Sequence, residues 1–213
     1  MKIKAVLFDL DGTLLDSVPA ILLANKEVCS LMKLPYDEIR WRNYIGIPLT
    51  VQALKYAGDR ASEFIDNYRI VYRKYQSEDT RLFPSTLTML DKIKSNGYLT
   101  ALVTSKSARA TQDAIQRTGM IGKFDTIITA DDVQNYKPHP EPLLKALDAL
   151  AIKPEDAIYV GDSLFDIDTA QKAEVAMVCV SWGARSKDDL LLMCPNGVFD
   201  SWPEFLGWLD EQA

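Results

Sequence analysis

Cysteine is scarce in this chain, and that scarcity sets the first bounds. Cys29, Cys179 and Cys194 are far apart, odd in number and without Cys-x-x-Cys spacing. This argues against a disulfide framework or a zinc site and fits a reducing compartment. Long apolar runs are also missing: no stretch approaches the roughly 20 residues a membrane span needs. Asp9 and Asp11 interrupt the N-terminal segment early, unlike the apolar centre of a secretory signal. Positive charge is in deficit, with a formal net charge of -6. A general nucleic-acid binder would need a basic stripe. An anionic substrate stays open, because a metal and a few cations reverse the potential locally. No internal repeat or low-complexity segment is seen. The expectation is a soluble, cytoplasmic protein with no nucleic-acid partner and no membrane partner.

What is present is ordinary globular composition, 47% hydrophobic and 25% charged over 213 residues. That length suits one large domain or a medium domain with a small insertion. The organising stretch is Phe8-Asp9-Leu10-Asp11-Gly12-Thr13, which follows the apolar run Ile3-Lys4-Ala5-Val6-Leu7. Such a run, bounded by a turn signal, predicts a buried strand with Asp9 and Asp11 at its carboxyl end. Gly12 lets the chain turn close to a ligand. From about Ser17 to Leu82 the pattern is helical with no strand signal. Asp16 or Ser17 is placed to cap the first helix, and Thr50 a later short one. Tyr68, Tyr72 and Tyr75 fall at helical spacing and read as packing residues. From Phe83 strands and helices alternate: strands over 98–103, 125–129, 157–160 and 175–180, with helices between them. The fold class expected is α/β, a Rossmann-like parallel sheet with helices on both faces, carrying an inserted all-helical cap domain. The core would comprise residues 1–16 and 83–213, and the cap 17–82.

Polar groups then collect at the strand ends: Asp9 and Asp11, Thr104-Ser105, Lys137 in a loop, and Gly161-Asp162 with Asp166 one turn on. Singly, each has a plain explanation. Thr104 or Ser105 caps a helix, Lys137 is a solvated loop lysine and Asp162 is a helix-start carboxylate. Together, at the edge where open sheets bind ligands, they point to phosphoryl transfer. Asp9 is the candidate nucleophile, forming an aspartyl-phosphate. Asp11 would protonate the leaving oxygen and then activate water. Thr104 or Ser105 would hold a phosphoryl oxygen, and helix starts after Thr104 and Gly161 would add positive potential. Ionised Asp9 and Asp162 beside a phosphate gather more negative charge than Lys137 balances, which calls for Mg²⁺. Asp166 would orient Lys137 or support the metal.

The stretch from Phe8 to Ser17 resembles the first motif of the haloacid dehalogenase-like hydrolase superfamily. Val103-Thr104-Ser105-Lys106 resembles the second, Lys137-Pro138-His139-Pro140 the third, and Gly161-Asp162-Ser163-Leu164-Phe165-Asp166-Ile167 the fourth. They occur in order across nearly the whole chain, and the helical insertion is similar to the cap of the phosphoglycolate phosphatase-like branch. The resemblance implies Asp9 as nucleophile and Mg²⁺ ligand, and Asp11 as acid/base with its backbone carbonyl on the metal. It implies Thr104 and Lys137 at the phosphate, Asp162 on the metal and Asp166 in support. Relatives with dehalogenase activity lack the second aspartate, so dehalogenation is not expected. Many relatives have glycine where this chain has Ser85. Gly46-Ile47-Pro48-Leu49 resembles the cap loop facing the site. Arg40, Arg42 and Lys55 lie near it in sequence and are candidates for a carboxylate or second phosphate, though solvated helix positions explain them as well. His139, the only histidine, is expected in a helix-start turn rather than in catalysis. The activity expected is a phosphatase for a small phosphorylated metabolite, 2-phosphoglycolate first, working as monomer or homodimer. A phosphosugar mutase, a pyrophosphatase and a noncatalytic binding protein are the alternatives.

Overall fold

The computed structural model describes residues 3–212, with residues 77–79 as backbone alone. The outer limits expected for the core, Met1 and Ala213, lie outside the described residues. In chain order the first elements are β1 (Ala5–Phe8), β2 (Leu15–Asp16), α1 (Val18–Leu31), α2 (Glu38–Arg42), α3 (Leu49–Ala57), α4 (Ala61–Asp79) and β3 (Arg81–Leu82). Next come α5 (Thr86–Ser95), β4 (Leu99–Val103), α6 (Ala108–Thr118), β5 (Thr126–Ile128), α7 (Glu141–Leu150) and β6 (Ala157–Gly161). The chain finishes with α8 (Leu164–Lys172), β7 (Ala176–Val180), α9 (Lys187–Leu191), β8 (Gly197–Phe199) and α10 (Trp202–Asp210). Among the described residues no helix is long and apolar enough to cross a membrane.

Six strands form one parallel sheet in the order β5-β4-β1-β6-β7-β8. β1 is central and all four of its residues are buried. Its side chains alternate between faces. Val6 and Phe8 pack with α5, α6 and α10, through Met89, Ile115 and Phe205 among others. Ala5 and Leu7 pack with α7 and α8, through Leu147 and Ile167. Covering both faces explains the unbroken apolar run, as expected for a parallel sheet. The chain builds β4 and β5 on one side of β1 and then crosses to β6 on the other, so the strand order reverses at β1, the place where a crevice opens at the carboxyl ends of an open sheet. Register brings Phe8 level with Leu102 and Val160. Asp9, Thr104 and Asp162 therefore follow within two residues of one line.

Helices α1 to α4 carry a further hydrophobic cluster, joined by Ala184 from the loop after β7, with Trp41 and Phe64 fully buried in it. Trp41 lies flat on Tyr56 at 3.6 Å between ring centroids, and α4 continues the stack from Phe64 through Tyr68 to Tyr72. This helical unit hangs from two chain crossings, and there the sequence reading needs correction. Residues 81–82 are not the helical end of the insertion: β3 pairs antiparallel with β2, Leu15 opposite Leu82 and Asp16 opposite Arg81. Two residues are too few to show a period, so no strand signal was legible. Two cap readings also change. Thr50 lies inside α3, whose N-cap position is Pro48. Ser17 holds the N-cap position of α1 but makes no capping bond, because its hydroxyl donates to Asp11 Oδ1 at 2.7 Å instead.

Candidate active site

The site begins where β1 stops. Asp9 stays in the sheet through its backbone N–H, which donates to Val160 O at 2.9 Å. The residue is buried, 3% exposed. Lys137, reaching in from the loop before α7, donates to Asp9 Oδ1 at 2.7 Å and to Asp166 Oδ1 at 2.8 Å, and also to Tyr159 Oη. Lys137, which taken alone would read as a solvated loop lysine, is 1% exposed. Tyr159 donates to Asp166 Oδ1 at 2.9 Å. Asp166 Oδ2 accepts from the Ser163 hydroxyl at 2.6 Å and from the Ser163 and Asp162 N–H groups. Asp166 thus fastens the start of α8 and Lys137 to each other. Asp162, at the end of β6, accepts from Thr13 Oγ1 at 3.1 Å and from the Ala184 N–H at 2.6 Å.

Gly12 is there for steric reasons. Its φ is +87°, and a Cβ at that position would fall 2.2 Å from Asp162 Oδ2. Only glycine tolerates both the backbone angle and the approach.

Asp9, Asp162 and Asp166 each offer an oxygen within 4.8 Å of the other two, all buried. Lys137 is the only ammonium bonded to them among the described residues. Burial pushes Asp9 up to about 7, despite Lys137 beside it, and Asp166 and Asp11 add to the rise. Burial likewise holds Asp162 well above the usual carboxylate range, with Asp166 and Asp9 contributing. Burial pulls the Lys137 ammonium down, but Asp166 and Asp9 outweigh it and the net shift is upward. A buried set of hard oxygen donors short of positive charge fits a divalent cation such as Mg²⁺. Asp9 and Asp162 suit it best, because Asp166 already spends both oxygens on Lys137, Tyr159 and Ser163.

Asp11 stands apart from this trio. Lys106 Nζ donates to both its oxygens, at 2.9 Å and 2.7 Å, and Ser17 adds its hydroxyl to Oδ1. The Asp11 side chain is therefore held by Lys106 and Ser17 rather than by Lys137. Thr104 is buried at the end of β4, and its Oγ1 accepts from the Lys106 N–H at 3.2 Å. Ser105 spends its hydroxyl on Gly46 O at 2.7 Å. That bond brings the 46–49 loop of the helical unit onto the sheet edge. A Cβ at Gly46 would lie 2.8 Å from Ser163 Oγ, so the loop touches the β6 end as well. The helix starts are less open than expected. α6 begins at Ala108, whose N–H donates to Asp131, and the N–H groups before α8 go to Asp166.

The structure does not bring Arg42 to the carboxylates. It pairs with Glu38 at 3.7 Å on the exposed side of α2. Arg40 and Lys55 lie over the rings of Tyr56 and Tyr44. His139 accepts from the Glu141 N–H at Nδ1, a helix-start contact as expected. The functional neighbourhood missed from sequence is Lys106, Ser17, Thr13, Tyr159 and Ala184. Lys106 left a signal, a lysine three residues past the end of β4. Tyr159 left none, since a tyrosine inside an apolar strand reads as core.

A parallel sheet, a helical unit over its carboxyl edge and a buried aspartate cluster at the switch point define a doubly wound α/β enzyme. The family model for haloacid dehalogenase-like hydrolases matches residues 6–180. A pyrophosphatase PpaX of Bacillus cereus (strain B4264) is 31% identical over 97% of this chain and 96% of its own. A phosphoglycolate phosphatase of Nitrosococcus oceani is 31% identical over 99% of this chain and 98% of its own. A solved haloacid dehalogenase-like family hydrolase from Streptococcus pneumoniae superimposes with a TM-score of 0.83 at 29% identity, covering 97% of this chain and 98% of that one. This chain belongs to the haloacid dehalogenase-like hydrolase family.

Proposed function

We propose that the protein is a Mg²⁺-dependent phosphatase for a small phosphorylated metabolite, with 2-phosphoglycolate the leading substrate. The observation that carries this is the asymmetry of Asp9. One oxygen is tied to Lys137, while Oδ2 accepts no hydrogen bond from any described residue. An oxygen so placed, at the end of a rigid central strand, suits attack on phosphorus. In the first half-reaction the Asp9 Oδ2–P bond forms, the ester P–O bond breaks, and Asp11 gives its proton to the leaving oxygen. In the second, water gives a proton to Asp11 as its oxygen bonds phosphorus, and the Asp9 oxygen leaves. Lys137 and Thr104 stabilise the phosphoryl oxygens, and Asp166 holds Lys137 in place. When bound between Asp9, Asp162 and the Asp11 carbonyl, Mg²⁺ supplies charge that lets an anionic phosphate approach.

A small substrate is supported by the Gly46 loop, which lies against Ser105 and Ser163 at the sheet edge. We assign residues 17–82 to the cap and the remainder to the core, with Gly46 the cap residue placed to meet the substrate; Arg42 is given no such role. The test is phosphate release from a panel of small phosphate esters and pyrophosphate, with Mg²⁺ and with chelator, beside Asp9→Asn. Metal-dependent release that vanishes in the variant is expected; release that persists in Asp9→Asn would end this reading. Pyrophosphate is the second candidate, because the Bacillus relative named a pyrophosphatase is as similar as the phosphoglycolate phosphatase. Orthophosphate yield from each compound separates the two. A mutase would give a phosphate isomer without free phosphate.

A further inference from the structure

Lys106 makes a largely buried ion pair with Asp11 that this chemistry does not yet use. Its backbone is held on both sides: the N–H donates to Thr104 Oγ1 at 3.2 Å, and the carbonyl accepts from the Ala130 N–H at 3.0 Å. Its Nζ meets both Asp11 oxygens, and the two side chains are only 10% and 17% exposed. Above it lies the Tyr72 ring, 5.3 Å from Nζ to centroid, carried on α4 of the helical unit. A contact to one carboxylate oxygen leaves rotation about Cβ–Cγ free, whereas contacts to both restrain it. The backbone of Lys106 is thus tied to the sheet edge, while its ammonium contacts both Asp11 and the Tyr72 ring of the helical unit.

We propose that Lys106 is a positioning residue that aims the Asp11 carboxylate and, through the Tyr72 ring, makes that aim depend on the helical unit being seated on the core. This rests on Asp11 acting as acid and base as proposed above. In the first half-reaction the Asp11 proton passes to the leaving oxygen as the ester P–O bond breaks and the Asp9–P bond forms. That step depends on the leaving group. An alkoxide needs the proton, while p-nitrophenolate departs without it. The second half-reaction, with a water proton passing to Asp11, is common to all substrates.

The test compares kcat/KM, which reports the first half-reaction, for the best alkyl phosphate of the panel and for p-nitrophenyl phosphate. In Lys106→Met the alkyl value is expected to fall about 100-fold, the scale of a lost general acid. The p-nitrophenyl value changes little, and p-nitrophenol appears in a burst because the second half-reaction is slowed. Lys106→Arg, which can also span both oxygens, restores much of the alkyl activity. Tyr72→Leu repeats the pattern more weakly and serves as the second probe should Lys106→Met not fold. Equal loss on both esters, or a rise in KM at unchanged kcat, would overturn the inference: the first means a structural role, the second a substrate contact. Asp11→Asn run alongside separates the two levels. An ester-dependent loss there without one in Lys106→Met rejects the Lys106 inference alone. No ester dependence in Asp11→Asn rejects the acid–base reading and the inference with it.

Discussion

Replacing Asp9 with asparagine should stabilise the metal-free protein at pH 8 while abolishing its activity. The reason is the charge balance of the buried cluster. Asp9 is pushed from 3.8 to about 7, chiefly by burial. An acid with a raised folded-state pKa binds its proton more tightly folded than unfolded. Its contribution therefore favours folding below 3.8, is lost as pH rises toward about 7, and is constant above that. The gap corresponds to about 4 kcal/mol. Asparagine keeps an oxygen for Lys137 to donate to and carries no charge, so it escapes this penalty. Urea denaturation in chelator should find Asp9→Asn more stable than the wild type at pH 8, by a few kcal/mol and at most about 4 kcal/mol. The two should converge near pH 4. Saturating Mg²⁺ should narrow or invert the difference, because ligand binding to the folded state stabilises the wild type more. A variant clearly less stable than the wild type at pH 8 in chelator would show that Lys137 already compensates the cluster, and the electrostatic case for a divalent cation would fall.

Two further predictions concern the fold. Ser85 holds a left-handed conformation, φ +65°, at the exposed start of α5. Ser85→Gly should relieve roughly 1 kcal/mol of backbone strain and raise the melting temperature by a few degrees, offset in part by the freer unfolded chain; a drop in melting temperature would count against the strain. Trp41 is fully buried and stacked on Tyr56 and Phe64 in the helical unit. Trp41→Ala should destabilise the protein by about 3–5 kcal/mol in chemical denaturation, and a loss under 1 kcal/mol would mean the cluster collapses around the gap.

Some of this was determined by the sequence alone. The apolar run into Asp9, the alternation of strands and helices after Phe83, and polar residues at successive strand ends imply a parallel sheet with a site at its carboxyl edge. These signals are local and periodic, so they survive without coordinates. Asp9, Thr104 and Asp162 were legible for that reason: sheet register alone brings strand ends into line. Lys137, on a loop, and Asp166, on α8, were picked out by the third and fourth motifs instead. What only the tertiary structure decided depends on pairs distant along the chain. The β2–β3 crossing joins residues 15–16 to 81–82. Lys106 turns to Asp11 rather than to solvent, and Ser17 leaves its capping position for the same carboxylate. Arg42, which sequence proximity made a candidate, faces Glu38 because α2 presents it outward. A lysine's spacing in the chain does not reveal whether its ammonium finds water or a buried carboxylate. That is settled by which surfaces the helical unit and the sheet edge close off from solvent, and here they close over Lys106 and Lys137 and leave Arg42 outside.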